Sequence, residues 1–204
     1  MTGVVHVIDD DEAVRASLRF LLESVGFAVE DHPTAEAFLL TAAEGPVGCV
    51  LTDVRMPGVG GLELQALLAA RGRRLPVIVM TGHGDVPTAV QAMKDGALDF
   101  LEKPFDEEQL LSAVRRALAA GLAMQAAESA AAEAARRLSF LTPREREVME
   151  GMIAGQASKE IALDLGASPR TIEVHRMRVM EKLQVRNLPE LVRLVQTARR
   201  EVAD

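Results

Sequence analysis

The chain has 204 residues, is 49% hydrophobic, and carries a formal charge of −7 with a single cysteine, Cys49. This size allows one or two domains with a buried core. One cysteine excludes an internal disulfide, and no apolar run approaches the ~18 residues of a membrane helix.

No basic segment leads into an apolar stretch at the N-terminus, so a secretory signal is not expected and the chain reads as soluble and cytoplasmic. Cys49, inside an apolar run, is expected to be a small buried hydrophobe rather than a reactive thiol. Charge is unevenly spread: residues 1–120 hold 18 acidic and 10 basic side chains, whereas residues 139–204 hold 10 and 11. Between Arg170 and Arg186 five basic residues face two acidic ones, a local basic stretch of the kind a modest DNA-binding module carries.

The first strand is expected over Val4–Ile8. A helix follows with Val14, Leu18, Leu21, Leu22 and Val25 on one side, at a period near 3.6, and Gly26 ends it. Phe27–Glu30 forms a second strand, and Thr34 caps a helix to about Ala43 with Ala37, Phe38 and Leu40 as packing residues. Gly45-Pro46 breaks that helix before the third strand, Val47–Thr52. Met56-Pro57-Gly58 and Gly60-Gly61 form a loop before a helix from about Leu62 to Arg71. The fourth strand, Val77–Met80, a helix from about Val86 to Lys94, and the fifth strand, Asp99–Glu102, complete the set. Short apolar strands alternating with helices predict a five-stranded, doubly wound parallel sheet covered on both faces, over residues 1–120.

Residues 121–138 form an alanine-rich linker, with eight alanines among the seventeen residues from Gly121 to Arg137. That composition predicts helix, extending the fifth helix, against the alternative of a tether frayed at Gly121. Residues 139–204 form a small all-α domain. Thr142-Pro143 with Glu145 has capping-box spacing for a helix ending near Gly155. Ser158 starts a short helix to about Leu165, and Ser168-Pro169 starts a third helix running to about Leu183, with Gly166-Ala167 as the turn. A fourth spans roughly Pro189–Arg199. The second and third match a helix-turn-helix, with the latter as the recognition element.

Chemistry is concentrated at the strand ends. Asp9-Asp10-Asp11 follows the first strand, Asp53 the third, Thr81 the fourth and Lys103-Pro104 the fifth. Ligands of open α/β sheets bind beyond the carboxyl ends of the strands, so these groups should converge. Clustered carboxylates repel unless a hard cation neutralises them. Carboxylates, a lysine and a hydroxyl around one point could hold Mg²⁺ and a phosphoryl group. Asp11 is read as the cap of the helix starting near Glu12.

Val7-Ile8-Asp9-Asp10, Thr52-Asp53-Val54-Arg55-Met56-Pro57-Gly58, Thr81-Gly82 and Lys103-Pro104-Phe105 together resemble the receiver domain of two-component response regulators. Leu141-Thr142-Pro143-Arg144-Glu145, Lys159-Glu160-Ile161-Ala162 and the run from Ser168 to Arg176 resemble the LuxR-type helix-turn-helix. The pair is similar to the NarL/FixJ class, and the stretch Thr81-Gly82-His83-Gly84-Asp85-Val86-Pro87 is most similar to FixJ-like regulators.

That resemblance implies phosphorylation of Asp53 by a sensor histidine kinase, with Mg²⁺ held by Asp10, Asp53 and the backbone carbonyl of Arg55, and by Asp9 through a water. It implies that Lys103 and Thr81 contact the phosphoryl oxygens, that Thr81 and Phe100 switch, and that the Lys103-Pro104 bond is cis. Arg55 and His83 would flank the site. Val90 and Lys94, four apart on one helical side, would lie on a face that pairs two phosphorylated receivers.

On DNA, Glu173, Val174 and Met177 would face bases in the major groove, where Glu can accept from cytosine N4 and Val can touch a thymine methyl. Lys159, Arg170, Thr171, His175, Arg176, Arg178 and Lys182 are candidate phosphate contacts, while Ile161, Leu165, Ile172, Val179 and Leu183 read as core. The last helix, with Leu188, Leu191 and Val192, would either pair DNA-bound copies or pack inside the monomer. Double-stranded DNA, a second copy of the chain and RNA polymerase are the expected partners, with no membrane. The competing reading is a phosphatase using Asp-x-Asp, with Asp9 as nucleophile and Asp11 as general acid. A regulator controlled by partner binding alone is a third.

Overall fold

Among the described residues, five short strands alternate with five helices in the N-terminal part of the chain: β1 (Val4–Ile8), α1 (Glu12–Ser24), β2 (Ala28–His32), α2 (Ala35–Thr41), β3 (Gly48–Asp53), α3 (Gly61–Ala70), β4 (Val77–Thr81), α4 (Val86–Lys94), β5 (Asp99–Glu102) and α5 (Glu107–Ser139). The structure, a computed structural model, describes residues 3–41, 48–72, 75–82 and 86–200. All strand pairings are parallel, and the strand order is β2-β1-β3-β4-β5.

Alternation along the strands separates two apolar layers. Val5, Val7, Cys49, Leu51, Ile78 and Met80 pack with Leu18 and Leu22 of α1 and with Leu110, Val114 and Leu118 of α5. The opposite face, carrying Ile8, Val50, Val77 and Val79, packs with Phe38 of α2, Leu64 and Leu68 of α3, and Ala92 of α4. Burial pushes the Cys49 thiol up to about 12, so it behaves as an apolar side chain.

Most element ends fall where caps and turns require. Asp11 Oδ1 accepts from the Ala13 and Val14 amides and caps α1, while Gly26 takes φ +88° beyond its end. Thr34 Oγ1 accepts from the Ala37 amide at the start of α2. Three expectations need correction. β2 runs two residues further than expected, to His32, because its whole length pairs with β1. Val25 is exposed, being the C-cap of α1 and not part of its buried stripe. Leu40 is 84% exposed, since Phe38 and Ala35 already fill the face of α2 that meets the sheet. Gly45, Pro46 and His83 lie outside the described residues.

The chain divides into two compact units, Met1–Gln125 and Ala126–Asp204, and α5 begins in the first and ends in the second. Gly121 sits inside that helix, not at a frayed break. A β-carbon there would lie 2.6 Å from the Gly48 carbonyl oxygen, so the close approach of α5 to β3 requires glycine.

The second unit contains α6 (Pro143–Ile153), α7 (Ser158–Asp164), α8 (Pro169–Lys182) and α9 (Leu188–Arg200). Val148, Met152, Ile161, Ile172, Val179, Leu183, Leu191 and Val195 form its core, with Leu165 packed at the margin. The capping box is complete: Glu145 N donates to Thr142 Oγ1, and Thr142 N donates to Glu145 Oε2 at 2.9 Å.

Candidate functional site

In the order β2-β1-β3-β4-β5, the chain leaves β1 toward opposite sides, which opens a crevice above the carboxyl ends of β1 and β3. Asp9 follows β1 and Asp53 ends β3, so register alone brings their carboxylates together. Gly61 keeps this arrangement tight: a β-carbon there would collide with the Asp53 carbonyl oxygen, so α3 can start directly beneath the acidic residue.

Lys103 bridges the two acids. Its Nζ lies 2.6 Å from Asp53 Oδ1 and 2.9 Å from Asp9 Oδ2. Lys103 N donates to the Thr81 carbonyl at 2.7 Å, and the Lys103-Pro104 bond is cis. Burial on its own would lower the lysine's pKa, but hydrogen bonds and charge from Asp53 and Asp9 outweigh it and hold the ammonium above its ordinary value.

The remaining carboxylate oxygens accept from backbone. Asp53 Oδ2 takes the Arg55 amide at 2.7 Å, and Asp9 Oδ1 takes the Asp11 amide at 3.0 Å. The two acids differ in access: the Asp9 side chain is 3% exposed and that of Asp53 is 15% exposed. Asp10 is exposed, and Thr81 is buried with its Oγ1 3.3 Å from the Gly82 carbonyl. Asp9 and Asp53 therefore share one lysine, and Asp10, next in the chain to Asp9, adds an exposed third carboxylate. Such an all-oxygen, charge-excess donor set fits a hard divalent cation such as Mg²⁺, which keeps several waters and needs few protein ligands.

Arg15 was missed from the sequence. Its Nη1 donates to the carbonyls of Asp9 at 2.7 Å and Asp10 at 3.1 Å, and so fixes the turn that presents both acids. The available signal was its helical offset from Asp11, one turn into α1. Asp11 spends a carboxylate oxygen on the α1 cap, as expected, and is not poised as the acid that the phosphatase reading needs.

Phe100 is 40% exposed and is not a fixed core residue. With Thr81, Ala89, Val90, Met93, Lys94 and Glu102 it lines a mostly apolar groove of about 560 Å³ between α4 and β5. Thr81 thus touches the crevice and the groove at once.

In the second unit, Lys159, Arg170, Thr171, Glu173, Val174, Met177 and Arg178 are exposed, with Met177 66% exposed. Arg170, Glu173, Val174 and Met177 share one shallow depression on α8. His175 and Arg176 are half-buried, and Arg176 Nη1 reaches toward the Gln156 carbonyl at 3.5 Å. Lys182 departs from its expected role as a phosphate contact. Its ammonium is 2.6 Å from Glu145 Oε2 and 3.3 Å from the Phe140 carbonyl, so it is engaged within the domain. That hydrogen bond, together with those from Thr142, holds the buried Glu145 carboxyl down to about 2.

Residues 5–115 match the family of response regulator receiver domains, and residues 139–195 match the bacterial regulatory proteins of the LuxR family. The chain is 56% identical over 190 residues to the transcriptional regulatory protein FixJ of Azorhizobium caulinodans, covering 93% of this chain and 90% of that protein. It is 50% identical over 196 residues to FixJ of Bradyrhizobium diazoefficiens, covering 96% of each. Among solved structures, the response regulator StyR matches with a TM-score of 0.83 and 42% identity over 96% of this chain and 99% of that one. Among the described residues, no helix is long and apolar enough to cross a membrane.

Proposed function

Because this chain belongs to the response regulators that join a receiver domain to a LuxR-type DNA-binding domain, and so regulates transcription rather than acting as a classical enzyme, we propose that phosphorylation of Asp53 is its input. The observation that carries the reading is the contrast between the two paired acids. Asp53 is the more exposed one and lies 2.6 Å from Lys103, whereas the Asp9 side chain is only 3% exposed.

A sensor histidine kinase is the phosphodonor. An Asp53 carboxylate oxygen attacks the phosphorus of its phosphohistidine, the P–N bond breaks, and the imidazole leaves with the bonding pair and takes up a proton. Asp10, Asp53, the Arg55 carbonyl and, through water, Asp9 would hold Mg²⁺, which when bound offsets charge on the phosphoryl oxygens. Lys103 moves from neutralising two carboxylates to pairing with a phosphoryl oxygen.

The acyl phosphate adds about −2 charge and strong acceptors. Thr81, whose hydroxyl now rests on a long contact to Gly82, turns toward a phosphoryl oxygen. Space is released beside the groove, and Phe100 rotates into it through packing alone, having no hydroxyl to pair. The reshaped face around Val90 and Lys94 then joins two copies. A dimer presents two α8 helices to a two-part DNA site, and the second engages at high effective concentration. Contact with RNA polymerase completes the output.

The test combines intact mass after incubation with Mg²⁺ and a small phosphodonor with DNA binding by wild type and Asp53→Asn. One phosphoryl group on wild type alone, with stimulated DNA binding, is expected. Retained phosphorylation or stimulation in Asp53→Asn defeats the reading.

A further inference from the structure

A second polar cluster lies on the sheet itself, at its β2 edge. His6 of β1 pairs in register with Glu30 of β2, and Ile8 pairs with His32. The two-residue period of a strand puts Glu30 and His32 on one face, beside His6. His6 Nδ1 lies 3.4 Å from His32 Nε2 and 3.5 Å from Glu30 Oε2. One ligand atom from each of the three residues lies within 4.8 Å of those of the other two.

We propose that His6, Glu30 and His32 form a site for a divalent transition ion of the Zn²⁺ class, independent of the phosphorylation reading for Asp53. Around a tetrahedral ion with metal–nitrogen bonds near 2.0–2.1 Å, neighbouring ligand atoms stand about 3.4 Å apart. Both measured separations match that edge. A hydrogen bond between the imidazoles and an ion pair of His6 with Glu30 each account for one separation, both through the same His6 nitrogen, whereas a bound ion accounts for all three ligand atoms together.

The rings are already positioned to ligate. Both imidazoles are buried and pack against Phe38, with centroids 5.1 and 5.2 Å from its ring, so little freedom remains to be lost on binding. Glu30 is half-exposed and supplies both negative charge and an entry path.

Ligand type separates this site from the crevice above β1 and β3. Two imidazoles and one carboxylate suit Zn²⁺, whereas an all-oxygen set suits Mg²⁺. A bound ion would tie the edge strand β2 to β1. It would also brace the His32 carbonyl that accepts from the Asp9 amide at 3.4 Å.

The experiment titrates Zn²⁺ into metal-free, full-length protein by calorimetry, with excess Mg²⁺ present, and records the visible spectrum of the Co²⁺ form. One Zn²⁺ per chain is expected in wild type and in Asp53→Asn. In His32→Gln and Glu30→Gln the affinity should fall at least about 100-fold, since loss of an outer-shell partner alone costs 10–100-fold. Zn²⁺ should raise the thermal transition of wild type but not of Glu30→Gln, a change at an exposed side chain that spares the fold even if His32→Gln does not. Intense tetrahedral Co²⁺ bands support the site. A weak octahedral spectrum, no saturable Zn²⁺ binding, binding unchanged in Glu30→Gln, or binding lost in Asp53→Asn would each overturn it.

Discussion

Two lysine–carboxylate clusters, one in each unit, use the same chemistry for different ends. In the second unit, Lys182 meets Glu145, whose side chain is 4% exposed and is also bonded to Thr142, so every charge there is matched and the pair closes a helix start. In the first unit, Lys103 faces both Asp9 and Asp53, so the cluster keeps an excess of negative charge, and Asp53 stays partly exposed. A satisfied ion pair holds structure. An unbalanced and accessible one is available for a ligand. What distinguishes the two is the charge left over and the route to solvent, not the presence of the pair.

The sharpest break of this comparison is Asp53→Asn, expected to abolish phosphoryl uptake by intact mass, whereas Glu145→Gln should leave that uptake unchanged. Lys103→Ala comes next. Removing one preorganised charge partner should slow phosphoryl transfer about 100-fold or more, measured by single-turnover transfer from a phosphorylated kinase. In urea denaturation, saturating Mg²⁺ should stabilise this variant more than wild type, because the acids have lost their internal cation.

Glu145→Ala should destabilise the second unit by about 1–3 kcal/mol, because Lys182 and the Thr142 amide lose their buried acceptor, read by chemical denaturation of the full chain. Acid sharpens the same point. The Glu145 carboxyl is depressed from 4.5 to about 2, so its contribution is complete above pH 4.5 and disappears as pH falls through 2. The stability gap between wild type and Glu145→Gln should close over that window, and a gap unchanged from pH 5 to 2 would contradict the pairing. The smallest effect is expected at Arg170→Ala, an exposed residue on α8, where DNA binding should weaken with a salt slope reduced by about 1.

Much of this was legible in the chain. The bounds of β1, α4 and β5, the Thr142-Pro143 cap and the Asp11 cap follow from local patterns of apolar period and turn chemistry, which involve neighbours a few residues apart. The paired acids Asp9 and Asp53, their lysine and the helix-turn-helix were legible as motifs at strand and helix ends. Exposure of Leu40 was not, because an apolar residue on a short helix looks the same whether or not the buried face is already filled.

Sequence by itself determined the ends of β1 and β5, the Asp11 and Thr142 caps, and that acids and a lysine would meet at the carboxyl ends of a parallel sheet. Only the tertiary structure decided which of two adjacent acids stays accessible, that Lys103 reaches both across 50 and 94 residues, and that Lys182 turns to Glu145 across 37. It also decided that β1 and β2 align His6 with Glu30 and His32. The reason is physical: caps and periodicity arise from local backbone geometry, whereas register and long-range pairing are set by the packing of whole elements, which no short stretch of sequence encodes.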